Sequence, residues 1–522
     1  MKNVSGDLHL SRAPERTGNV ADPVPVAAPA GRRRLITACV LALVIVSALA
    51  VRLSNPELQI DELTYMSRVL ESMAQGSVLP VQGSGDLFMN KPPLAFWLMR
   101  LSFQVLGPSP FAARLPSVLA AAATALLLYA FGSARFGERV GILAALVFAL
   151  TPGLVALHGI RSATTDALEI LLVTSAIVAL ESWRRRRRPW TLACMVILVG
   201  ATAWVKSPFG VIVFLAILLA TERPARRAGQ GTPRFGFTVA WVAGVWLGLY
   251  LLWLGTLSFA TSARVVTNRL LVRQYAHRLE GRISAYHVQG PGYYAITVAR
   301  DFGPLLLLPA CLFALKVFAS RRGWKSPRYE ARYEVALLVV WALAAPVLGT
   351  ASISKRPWYA YLSYPGIALL LAVSGDRLAR AVSGRRSVQA ALLAAIPLIH
   401  AGRIPAGSVW PAEGRYRGLA GRLWEVADHD SRIRVVPGPG FQLPRQYDIE
   451  YREARLFVRL LFWRSSRDRP EPGSCRATLV RSLQDVPEGL DALELQPATR
   501  RDAALFLIDD CGGKVREQVS RR

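Results

Sequence analysis

The chain reads as a polytopic α-helical membrane protein followed by a small soluble α/β domain. Three observations carry that reading. Of its 522 residues, 52% are apolar. They gather in runs close to the roughly 20 helical residues that a hydrocarbon core requires. Arginine and lysine, which give a net charge of +28, cluster in short segments between alternate runs.

Residues 1–30 are rich in Pro, Ala and Gly without periodicity. They read as a disordered cytoplasmic tail, since the basic residues and apolar run that follow come too late and run too long for a cleaved signal. Residues 31–402 form the membrane domain. Spans are expected near 35–53, 111–133, 140–158, 165–183, 190–206, 208–221, 237–257, 301–319, 333–350, 358–373 and 387–402, about 11–13 helices in all. The apolar segment 92–107 starts with two prolines and carries Arg100 in mid-run, which places it at the interface. After Asp61, the apolar residues Leu63, Met66, Leu70 and Met73 recur at helical spacing, with Ser67, Arg68 and Glu71 on the other side. That pattern predicts a second interfacial helix.

The clusters Arg32–Arg34, Arg135 with Arg139, Arg184–Arg188, Arg223–Arg234, Arg321–Arg332 and Arg377–Arg386 fall on alternate loops, which are therefore expected to be cytoplasmic. The basic excess marks topology rather than nucleic-acid binding, because it sits where span ends require it. The opposite set is then outside: the 61–91 loop, the turns before Asp166 and at Lys206, the 258–300 region, the turn around Lys355 and the C-terminal segment.

From residue 403 the apolar runs shorten to strand length. RIRVVPG, RATLVRSL and AALFLIDD suit strands of a mixed α/β unit over 403–522. Cys39, Cys194 and Cys311 lie in spans as small apolar fillers. Cys475 and Cys511 share the outward segment, where an oxidising compartment permits a disulfide and two free thiols remain the alternative.

The chemistry-bearing residues concentrate on the predicted outer face. Asp61 heads the interfacial helix, where capping is its simplest role. Asp166 opens the fourth span with Glu169 one turn deeper, either as a cap, as a partner for Arg161, or as a functional acid at a lipid boundary. Two acids from different helices could bind a metal or position a sugar hydroxyl. Lys91, Lys206, Arg269, Arg273 and Lys355 run against the positive-inside trend, and as a group they suit an anion such as phosphate. Tyr275, Tyr293, Tyr294, Trp358, Tyr359 and Tyr361 form an interfacial aromatic belt, from which a sugar-stacking partner would be drawn.

Asp61-Glu62 with Tyr65, Lys91-Pro92-Pro93-Leu94 with Phe96-Trp97, the 111–117 segment FAARLPS, Asp166, Lys206 with its small-residue turn, and the 355–365 segment together resemble the GT-C class of membrane glycosyltransferases. The match is to the bacterial branch of family 39, over roughly residues 35–375. The resemblance implies a polyprenyl-phosphate sugar donor and an acceptor on a lipid, glycan or protein. Asp61 and Asp166 would be the catalytic residues, Asp61 orienting or deprotonating the acceptor hydroxyl. Lys91 would meet the lipid phosphate, and Glu62, Tyr65, Lys206, Arg269, Arg273, Lys355 and Tyr359 would join it in substrate binding. Asn90 stands where the family's aminoarabinose transferases carry a glutamate that helps to bind metal, so a divalent metal is not required by this pattern. A transporter of lipid-linked sugars is the rival reading, but it would place ionisable groups at mid-membrane and show inverted repeats.

Overall fold

A computed structural model describes residues 30–51, 53–54, 60–82, 86–156, 159–206, 208–277, 280, 288–321, 329–404 and the strands at 433–437, 475–480, 492–496 and 505–509. The predicted tail falls outside these residues, apart from Ala30, which opens α1 (Ala30–Ala50).

The first loop folds into α2 (Ile60–Ala74), a short hairpin of β1 (Val81–Gln82) and β2 (Asp86–Leu87), and α3 (Leu94–Leu106). The membrane helices that follow are α4 (Pro110–Phe136), α5 (Glu138–Ala149) with the one-turn α6 (Pro152–Ala156), α7 (Asp166–Arg186), α8 (Pro189–Thr202), α9 (Phe209–Arg227) and α10 (Phe235–Ala260). A short α11 (Ala263–Val266) runs into a π-helix over Thr267–Ala276. The second half contains α12 (Tyr293–Phe302), α13 (Leu307–Arg321), α14 (Tyr329–Thr350), α15 (Tyr364–Val382) and α16 (Arg386–Ala401). By length and composition, five stretches among the described residues are apolar enough to cross a bilayer on their own, among them Pro110–Phe136 and Phe235–Ala260. Leucines and phenylalanines along their outer sides stay exposed, for example Leu43, Leu252 and Phe313, as lipid-facing surfaces do. This is a multi-pass membrane protein.

Contacts sort the helix ends into two groups. At one end, Arg33 pairs with Glu138 at 3.6 Å and Arg139 donates to Gln389 at 2.8 Å. Arg184, 1% exposed, donates there to Thr221, Thr232, Tyr333, Glu181 and Glu222 at 2.9–3.3 Å. Arg135 joins this network through Glu181 at 3.5 Å and Glu334 at 3.4 Å. Arg184 is therefore not one more charge turned to water, as its place in an arginine run suggests. It ties α7 to α9, to α14 and to the loop before α10.

The other end carries the predicted site. The crossing expected at 301–319 is found here a few residues later. The run Tyr293–Ala314 is long enough to span, yet both ends of α12 meet residues of this same end. Tyr294 lies against Gly349 at the end of α14, and Asp301 against Gly153 in α6, while the Tyr364 hydroxyl at the start of α15 donates to Asp301. So α12 lies across the end of the bundle, and a 3-10 turn over Gly303–Leu306 hands the crossing to α13, close to the expected 301–319. Likewise the expected 140–158 span breaks at Thr151-Pro152 between α5 and α6, since proline cannot donate the helical hydrogen bond.

Small residues allow a close helix crossing. A Cβ built on Gly132 of α4 would lie 2.9 Å from Gly141 Cα of α5, and one on Gly141 would lie 2.4 Å from the Tyr129 carbonyl oxygen. Close backbone approach through small residues is a main source of helix association in membranes. Gly141→Ala should therefore destabilise the protein by about 1–3 kcal/mol, read as a lower unfolding midpoint in detergent.

The amphipathic reading of α2 needs one correction. Tyr65, Met66, Val69, Leu70 and Met73 pack with Phe88, Phe96, Met99 and Phe103 in a core of their own. But Ser67 and Arg68 are buried as well, because the β1–β2 hairpin and α3 cover further faces of the helix. Arg68 is kept in place by Glu71 at 2.9 Å and by the Phe88 ring at 5.5 Å.

In the C-terminal segment the four described strands, β3 (Ile433–Pro437), β4 (Cys475–Val480), β5 (Ala492–Gln496) and β6 (Leu505–Asp509), form one sheet in the order β3-β4-β6-β5. β3 is parallel to β4 and the other pairs are antiparallel. Three of these strands are those expected from sequence, and β5 is additional. Cys511 and the helical part of the predicted domain lie outside the described residues.

Candidate active site

Asp61 and Glu62 occupy the first turn of α2, where carboxylates complement the helix dipole. The two neighbours have different surroundings. Asp61 is half-buried. Glu62 is 1% exposed, accepts from Arg114 Nε at 2.8 Å and Nη2 at 3.1 Å, and accepts from the Ala163 N–H at 2.7 Å. Arg114 also donates to the Leu53 carbonyl at 2.9 Å. Arg161 donates to the carbonyls of Leu49, at 3.0 Å, and Val51. Burial, and then the Arg114 charge, pull Arg161 below its ordinary value, with Glu62 opposing. These two arginines clasp the end of α1, the start of α2 and the 159–165 loop into one unit. Asp61 and Asp166 stand on its two arms.

Asp166 is the first residue of α7, and its ion-pair partner is Lys206 rather than Arg161. The Lys206 ammonium lies 2.5 Å from Asp166 Oδ1 and 3.3 Å from Glu169 Oε2, with the Tyr359 ring centre at 5.5 Å. Burial alone would lower this lysine; the two carboxylates outweigh it and hold it above its ordinary value. The turn that carries Lys206 also receives the Lys-Pro-Pro motif. The Leu94 N–H donates to the Trp204 carbonyl at 2.9 Å, and Trp97 meets Trp204 edge-on at 5.4 Å. Pro92 and Pro93 are buried there, and the Lys91 charge acts on the Glu169 carboxylate.

Other expected residues have their own settings. Tyr65 sits in the aromatic core, edge-on to Phe96 at 5.3 Å. Lys355 is buried and donates to the backbone carbonyls of Gln289 at 3.0 Å and Ser352 at 2.6 Å, so it fastens its own loop. Arg269 and Arg273 lie on the π-helical segment, and their side chains are outside the described residues.

Three contributors are not visible in the sequence pattern: the Glu62–Arg114 pair, Arg161 as a cap on α1, and Asp301. Asp301 is buried on α12, accepts from Arg300 Nε at 3.1 Å and from Tyr364, and acts together with Asp166 on the Tyr361 phenol. Arg114 lies inside the 111–117 motif, but nothing local marks its partner.

A divalent metal does not fit the acids described. Lys206 Nζ occupies the position between Asp166 and Glu169 that a cation would take. Among the described residues no group of three His, Cys, Asp or Glu is placed to hold one.

Comparison with known proteins sets similar chains beside this geometry. The family model described as dolichyl-phosphate-mannose-protein mannosyltransferase matches residues 90–256, the stretch that carries Lys91, Arg114, Asp166 and Lys206. The crystal structure of ArnT from Cupriavidus metallidurans bound to undecaprenyl phosphate superposes with a TM-score of 0.60, covering 92% of this chain and 98% of that one at 14% identity. The chain shares the fold of ArnT. Among curated relatives, the chain is 26% identical over 318 residues to a protein of Aquifex aeolicus, which covers 60% of this chain and 66% of the relative. It is 27% identical over 137 residues to the putative mannosyltransferase YycA of Bacillus subtilis, covering 26% of this chain and 20% of that one. The matches thus span only part of either relative.

Proposed function

We propose that this protein transfers a sugar from a polyprenyl-phosphate-linked donor to an acceptor hydroxyl on a lipid, glycan or protein, on the outer face of the cytoplasmic membrane. The observation that carries the reading is the meeting, at one end of the bundle, of Asp166, Glu169 and Lys206 with the Lys-Pro-Pro turn, beside the clasp that presents Asp61. The description of the matching family and the lipid named with the ArnT structure support the donor class. The arginine-rich loops at the far end support an outward-facing site.

The reaction is a single displacement with inversion. The acceptor oxygen forms a bond to the anomeric carbon, the bond from that carbon to the phosphate oxygen breaks, and polyprenyl phosphate leaves with the electron pair. Asp61 orients the hydroxyl and takes its proton. Cations lower the barrier by stabilising charge on the departing phosphate, a role for Lys91 and for Arg269 or Arg273. Asp166, fixed by Lys206, sets the shape and charge of the sugar side of the cavity. Glu62 and Tyr65 act from behind, holding α2 in position.

A transporter gains no support. The two charge clusters lie at the two ends of α7, not midway along it, where a transport site would be expected.

Purified protein, incubated with polyprenyl-phosphate sugars and cell-envelope acceptors, should release sugar-free polyprenyl phosphate and label one acceptor fraction. Failure to consume any such donor would overturn the proposal. Lys91→Ala should weaken binding of the sugar-free lipid phosphate by about tenfold or more, the worth of a charge-assisted hydrogen bond, measured by titration in detergent.

A further inference from the structure

α12 brings one side chain to the site that the reaction above does not use. Tyr294 stands in its first turn and is 1% exposed. Its hydroxyl donates to no partner among the described residues, while the Arg356 backbone lies near enough to act on its oxygen. A buried hydroxyl that donates to no partner is costly, so such groups in native proteins call for an explanation. The ring cannot swing away easily: Gly349 backs onto it so closely that a Cβ there would lie 2.8 Å from Tyr294 Cε2, and Tyr293 meets it edge-on at 5.3 Å. Lys206 and Tyr359 are near enough to act on the phenol electrostatically. A rigidly held hydroxyl thus lies within electrostatic reach of the acid–lysine cluster with its own proton undonated.

We propose that Tyr294 is a specificity-determining residue whose hydroxyl donates a hydrogen bond to a ring hydroxyl oxygen of the sugar being transferred. The inference rests on the transferase reading above and deepens it. A neutral sugar oxygen suits this position better than the donor's phosphate. Lys206, the charged side chain that acts on the phenol, is already engaged by Asp166 and Glu169, so its charge is offset before an added anion could use it. The phosphate belongs nearer Lys91. A site built to hydrogen-bond a sugar hydroxyl also discriminates against sugars that lack it, because they leave the tyrosine unpaired.

The test is Tyr294→Phe, which keeps the ring and removes only the donor. With wild-type enzyme active on a lipid-linked sugar, the variant should show a KM for that donor raised about 3- to 10-fold, the range for one neutral hydrogen bond, with unchanged affinity for sugar-free polyprenyl phosphate. Gly349→Ala, which pushes the ring out of place, should raise KM in the same way. An unchanged KM in Tyr294→Phe overturns the assignment. So does an equal loss of affinity for the sugar-free lipid, which would place the hydroxyl on the phosphate. A wild-type protein inactive with every lipid-linked sugar fails the transferase reading itself, and this assignment with it.

Discussion

Asp61→Asn is expected to lower turnover by about 100- to 10,000-fold, the range for loss of a general base, with the fold and membrane insertion intact. The amide keeps the shape and one hydrogen-bonding oxygen but cannot take the acceptor proton. Its effect on stability should stay within about 1 kcal/mol, since Asp61 is half-buried and its structural part is the complement to a helix dipole. Turnover with a polyprenyl-phosphate sugar, together with the unfolding midpoint, separates the two effects. Turnover at the wild-type rate would remove Asp61 from the chemistry. Its neighbour should behave in the opposite way: Glu62→Gln breaks the clasp, so its first effect is a lower unfolding midpoint.

Arg114→Ala should destabilise the protein by about 3–5 kcal/mol, because it leaves the Glu62 carboxylate buried without its counter-charge. The geometry explains the size. The fork holds both carboxylate oxygens at 2.8 and 3.1 Å and closes on the Leu53 carbonyl as well. Arg114→Lys should not rescue it, since an ammonium cannot reproduce that planar, two-pronged pairing. A double-mutant cycle with Glu62→Gln should show strong coupling. A midpoint within about 0.5 kcal/mol of wild type, the usual range for an inert surface change, would mean that the clasp contributes nothing.

The membrane helices were legible because burial in lipid leaves a direct mark, a run of apolar residues of the required length. Length alone does not fix where a crossing begins. The stretch from Tyr293 is apolar enough to cross, but Tyr294 and Asp301 find partners at the same end of the bundle, so α12 lies flat. The site was legible as a set of residues, since Asp166, Lys206 and the Lys-Pro-Pro turn do converge. Their pairing was not. Glu62 and Arg114 are 52 residues apart and Tyr333 and Glu181 are 152 apart, and no local pattern reports which distant donor a buried acid will meet. The arginine run at 184–188 shows the same limit: position relative to a span marks its side of the membrane, yet only packing shows that Arg184 turns inward.

The ion clusters at the two ends of α7 have a consequence for the lipid around the protein. This helix has 21 residues from Asp166 to Arg186, about 30 Å at the usual rise, and is pinned by Lys206 at one end and by the Arg184 network at the other. A helix held so cannot tilt or slide to suit a thinner or thicker bilayer, the usual response to hydrophobic mismatch. α7 therefore acts as a fixed gauge at the centre of the bundle. Adjustment falls to the lipid itself and to peripheral helices with exposed apolar faces, such as α10. Membrane thickness then bears on the protein through its rim, while the spacing between the Lys206 end and the arginine end stays constant.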